Sequence, residues 1–105
     1  NKFQRYDFAS KGYIALLSEA AEGRAEMADL IPASAAVQDA LSEIRDLNRA
    51  DREYVEATAE YISCLSALVK GRTDVDAKAA EAAWSVARRR VIIEQPGGVS
   101  AERAA

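Results

Sequence analysis

Histidine is absent from this 105-residue chain, cysteine occurs once, at Cys64, and proline only twice. The missing histidine removes an imidazole base and every His-containing zinc set. A lone cysteine cannot close an internal disulfide, which leaves the compartment open. No activating group stands near Cys64 in sequence, so it reads as a small packed residue rather than a nucleophile. No glycine-rich phosphate loop is present, and the apolar runs, such as 91–93, are a few residues, far short of the ~20 that cross a bilayer. Basic residues are in the minority: the net charge is −3 and the pI about 5.0. A nucleic-acid binder normally shows a basic stripe, so neither a nucleic-acid partner nor a membrane span is expected. The start at Asn1 leaves open a removed leader or an upstream segment.

What the chain does have is helical periodicity from residue 2 to residue 94. Residues 2–31 place Tyr6, Ala9, Tyr13, Leu16, Ala20, Gly23, Met27 and Leu30 at alternating three and four spacings, the stripe of a helix with one buried face. Pro32 is expected to end that helix, with Ser34 capping the next. Residues 35–70 repeat the pattern with Val37, Ala40, Ile44, Leu47, Tyr54, Tyr61, Leu65 and Leu68, widened by Leu41 and Val69. Their stripe is interrupted by Asn48, Asp51 and Thr58. One continuous helix is the preferred reading, and a break with Asn48 capping a new helix is the alternative. Gly71 stops this segment, Thr73 and Asp76 resemble a capping box, and a third helix covers 74–94, ended by Pro96. The expectation is an all-α fold: an antiparallel three-helix bundle or helical hairpin of long unequal helices over 1–95, with four helices if the second breaks near Asn48, and a flexible tail at 96–105.

Alanine makes up about a fifth of the residues and aromatics 7%, so each helix contact buries little area, and oligomerisation is a common remedy. Folding the segments back on one another about Pro32 and Arg72 gives rods that overlap only in their middle third. Tyr6 then falls opposite about Ala59, and Arg88, Arg89 and Arg90 fall near Glu53, Glu56 and Glu60. Trp84 is placed against the second helix near Ile62. The stripes at Val37, Leu41 and Ile44 and at Leu65, Leu68 and Val69 lie where only one other helix can reach. A protein partner or a second copy is expected to cover them.

Two polar groupings remain. Asp39, Asp46, Glu53 and Glu60 recur every seven residues, an acidic ridge if 35–70 is one helix. Asn48, Asp51 and Thr58 form a polar layer on the core stripe, where a carboxylate must find a partner; the layer is expected to fix register. No cofactor or metal is expected, since paired glutamates lack the Glu-x-x-His element of di-iron bundles. The leading functional expectation is a non-enzymatic interaction or assembly protein acting through exposed apolar helix faces. The alternative is a small acidic regulator or inhibitor that binds its target through the ridge.

Overall fold

The structure, a computed structural model, describes residues 3–94; the tail expected at 96–105 lies outside the described residues. Four helices follow one another: α1 Gln4–Ala21, α2 Met27–Ser42, α3 Arg49–Val69 and α4 Ala77–Glu94. The all-helical expectation stands. The three-helix arrangement does not, because both long segments are broken.

The first break falls at Gly23 rather than at Pro32. Gly23 takes φ 81°, and its N–H donates to the Ala20 carbonyl while Arg24 N–H donates to Glu19. That pair of bonds satisfies the carbonyls that a helix end leaves open, and only glycine holds the left-handed backbone without strain. The chain then re-enters a helix, with the Asp29 carboxylate accepting the Glu26 N–H at 3.1 Å. Pro32 therefore sits inside α2. Its absent N–H leaves the carbonyl of Ala28 without a helical donor, and Ala28 is exposed, so water can replace the bond.

The second break is the Asn48 alternative. Asn48 Oδ1 accepts the Asp51 N–H at 2.9 Å, and Asp51 accepts the Asn48 N–H at 3.1 Å, a reciprocal cap that starts α3. Ahead of it, residues 43–48 turn through Asp46 at φ 56°, a conformation that Asp tolerates better than most side chains. At the far end of α3, Gly71 at φ 87° repeats the Gly23 solution, as expected. Asp76 then caps α4, its carboxylate accepting the Ala79 N–H at 3.0 Å.

The helices run up, down, up and down, with α1 and α3 parallel at the centre, α2 against α1 and α4 against α3. No Cα of α2 comes within 8 Å of α3 or α4, nor any of α1 within 8 Å of α4. Two core clusters share the length of the bundle. One end gathers Phe3, Tyr6, Val37, Ala40, Ile44, Tyr54, Ala87 and Val91. The other gathers Ile14, Leu17, Leu30, Tyr61, Cys64, Leu65 and Ala80. Fully burying a side chain of this size contributes about 1.5–3 kcal/mol.

This geometry corrects the staggered rods. A hairpin about Pro32 would set Tyr6 opposite Ala59, but Tyr6 instead meets Tyr54 edge-on at 5.6 Å because α1 and α3 run parallel. The faces expected to lie uncovered are largely sheltered by the chain itself: Val37, Ile44 and Leu65 are buried, and Leu41, Leu68 and Val69 are half-buried edges of the two clusters. The additional helix, α2, joins the end of the first segment to the start of the second and sets Val37 and Ala40 against Phe3 and Tyr6.

Candidate functional site

Of the exposed large apolar side chains among the described residues, Met27 and Ile31 lie on α2, Phe8 on α1 and Val86 on α4, all away from the positions expected from sequence. The sixteen residues of α2 carry only two charges, Asp29 and Asp39, although the helix touches only α1 through its backbone. Met27 is 59% exposed and Ile31 72%. Met27 belongs by periodicity to the stripe of the first segment and Ile31 widens it, but the break at Gly23 turns α2 so that Leu30, Val37 and Ala40 face inward and Ile31 outward.

Beside Ile31 runs a groove of about 350 Å³. Met27, Leu30, Ile31 and Ser34 of α2 form one wall, Ser66, Val69 and Lys70 of α3 the other, and Tyr13 and Leu17 of α1 the floor. The groove exists because α2 and α3 both pack on α1 without their backbones approaching each other. Only Lys70 brings a charge. Of the residues expected to bind a partner, Val69 lines this groove and Leu65 and Leu68 line a separate hollow beside Gly71. Val37, Leu41 and Ile44 line neither.

The acidic ridge does not form on one helix. Asp39 lies on α2, Asp46 in the turn after it, and Glu53 and Glu60 on α3. Glu53 meets Arg49 at 3.4 Å and Arg90 at 3.3 Å, and Glu43, between Asp39 and Asp46 in sequence, pairs with Arg5. The polar layer dissolves in the same way. Asn48 and Asp51 start α3, and the buried Thr58 hydroxyl donates to the Tyr54 carbonyl of its own helix at 2.7 Å.

The buried polar chemistry gathers instead around Asp7, a residue that periodicity does not mark. Arg88 donates to both of its carboxylate oxygens, at 2.7 and 2.9 Å, and the Tyr54 hydroxyl donates to Oδ1 at 2.8 Å. This clasp joins α1, α3 and α4. Burial opposes the charge on Asp7, but the hydrogen bonds from Arg88 and Tyr54 outweigh it and hold the carboxyl below its ordinary value of 3.8. Burial and the neighbouring Asp7 push the Tyr54 phenol far above its ordinary range. Of the three arginines expected on the α3 acids, Arg90 reaches Glu53 and Arg88 turns to Asp7.

At the other end, the Tyr61 hydroxyl donates to Glu81 at 2.9 Å, and burial followed by Glu81 pushes its phenol up to about 12. Trp84 packs on Tyr61 at 5.4 Å, one residue from the expected contact at Ile62. Cys64 is buried; desolvation and the nearby Glu60 raise its thiol above its ordinary value. Ser10 Oγ and Trp84 Nε1 are buried without a hydrogen-bond partner, and neither lines the groove. Among the described residues there is no group of three or more metal-ligating side chains. None of their helices is long and apolar enough to cross a membrane.

Comparison with protein-family models, with curated proteins and with solved structures finds no match for this chain.

Proposed function

We propose that this chain is a non-enzymatic interaction protein that receives apolar side chains of a partner protein in the groove between α2 and α3. The observation that carries this reading is Ile31, 72% exposed on the rim of that groove in a helix with almost no charge. Scattered apolar residues on a surface need no explanation, but a run of them beside a hollow marks a contact site. Pro32 and Ala35 continue the exposed run. The polar groups that could have served catalysis have structural employment: Asp7, Tyr54 and Arg88 clasp three helices, and Tyr61 and Glu81 join two. The acidic-regulator reading gains no comparable support, since its charges are divided among α2, a turn and α3.

Native mass spectrometry of the protein isolated from its own cells tests this. The expected result is a companion chain at fixed stoichiometry that survives high salt and is lost on Ile31→Lys. A bare chain, or a companion retained by Ile31→Lys, would overturn the groove as the binding site. Loss in salt combined with retention in Ile31→Lys would favour contact through the acids.

A further inference from the structure

The outer face of α1 carries a second surface, distinct from the α2–α3 groove. Arg5, Phe8, Gly12, Ala15 and Glu19, spaced three or four apart, share the side of α1 opposite its buried Tyr6, Ser10, Ile14 and Leu17; Arg5 and Phe8 there also wall a hollow of about 480 Å³ with Ala36 and Ala40 of α2, and Glu19 is half-buried. A solvent-facing stripe is ordinarily polar. Here its middle holds Phe8, 72% exposed, followed by Gly12 and Ala15. Glycine is among the poorest residues for a helix interior, and nothing within the chain requires it, because a Cβ at Gly12 would meet no atom within 4 Å. A bare patch of backbone next to a projecting phenyl ring is what a closely approaching helix needs.

The charges specify which helix approaches. Arg5 stands at the start of the stripe and Glu19 toward its end. Turned end for end, the same helix offers the complementary order. Laying Gly12 on Gly12 of a second copy sets Phe8 over Ala15 and Leu16 and brings Arg5 to Glu19, twice over by symmetry. Opposed helix dipoles favour the same direction. The present partners of these charges, Glu43 for Arg5 and Arg24 for Glu19, are exposed pairs that hold them weakly.

We propose that α1 is a self-association surface, pairing antiparallel with α1 of a second copy of this chain across Phe8, Gly12 and Ala15. The contact is two-fold symmetric and self-complementary. A single helix pair belongs to the small interfaces, below about 1,200 Å² in total, and such contacts are weak and transient, here micromolar or weaker.

Sedimentation equilibrium of the full chain tests the proposal independently of the α2–α3 groove, since none of the variants touches that groove. The wild type is expected to dimerise with rising concentration, and Phe8→Lys to weaken dimerisation at least tenfold, about 1.4 kcal/mol, with an unchanged helical spectrum. Arg5→Glu and Glu19→Arg each oppose like charges and are expected to be monomeric alone. Mixed one to one, they restore every pair and are expected to form a heterodimer. A wild type that remains monomeric to roughly 0.5 mM, well past the micromolar range, overturns the proposal and leaves this face for a different protein. Undiminished dimerisation of Phe8→Lys, or a mixture no more associated than its components, overturns it equally.

Discussion

The two ends of this bundle solve the same packing problem differently. At the end built around Phe3, Tyr6 and Tyr54, three rings meet, with Tyr54 edge-on to Phe3 at 5.2 Å and to Tyr6 at 5.6 Å. The Asp7 clasp closes over them, and side chains from all four helices take part. At the end built around Leu17, Leu30 and Leu65, the core is mainly aliphatic and the groove between α2 and α3 stays open, with Met27 and Ile31 on its edge. Alanine-rich helices do not force a chain to borrow cover throughout its length. A few large rings complete the core at one end, yet spare apolar surface remains at both: Met27 and Ile31 beside the α2–α3 groove, and Phe8 beside Ala36 and Ala40 at the ring end.

The largest expected effect tests the closed end. Tyr54→Ala removes a fully buried ring and its hydroxyl, and is expected to cost about 3–5 kcal/mol in urea denaturation. Ile31→Ala at the open end is expected to stay within about 0.5 kcal/mol. Equal losses at the two sites would erase the contrast between them.

Asp7→Ala comes next. It leaves Arg88 partly buried without its carboxylate and Tyr54 without an acceptor, and is expected to cost about 1–3 kcal/mol at neutral pH. Because folding lowers the Asp7 pKa, its contribution is fully present above the ordinary carboxyl value of 3.8 and disappears as pH falls through the lower folded value. Denaturation midpoints measured from pH 6 downward should therefore converge for wild type and Asp7→Ala below about pH 4. A constant gap would show that the clasp contributes through packing alone.

Smaller changes refine the picture. Asn48→Ala removes the cap on α3 and is expected to cost about 1 kcal/mol by the same denaturation; no loss would mean that α3 starts without help from this side chain. Gly12→Ala on the outer face of α1 is expected to stabilise the monomer by about 0.5–1 kcal/mol while weakening self-association. A destabilised monomer would place an unseen neighbour against that position.

Much of the helical content was legible in the sequence, because periodicity reports any helix with one buried face. The junctions were legible only where one signal acted alone. Gly71 was read correctly as a stop. Gly23 ends α1 by the same bonds, yet in sequence it falls in step with the apolar stripe, and Pro32 nearby offers a stronger terminator. Pro32 in turn occupies the helix interior, since losing a bond to an exposed carbonyl costs little. Asn48 supported two readings, and the reciprocal bonds with Asp51 decided for the cap. These junctions set the topology, and topology decides which apolar residues are covered, so the proposed site moved from Val37, Ile44 and Leu65 to Met27 and Ile31. Asp7 carried no local signal at all. Its partners lie 47 and 81 residues away, a separation that periodicity does not register.

Ile31 and Ile44 offer the most direct test, since the first lies on α2 and the second in the turn that follows it, with opposite exposure, 72% against 8%. Methyl NMR of the dilute full-length chain with a soluble paramagnetic agent reads that exposure residue by residue. Strong attenuation of the Ile31 methyls with Ile44 protected is the predicted result. A protected Ile31, or an attenuated Ile44, would contradict the placement of free apolar surface on the outside of α2.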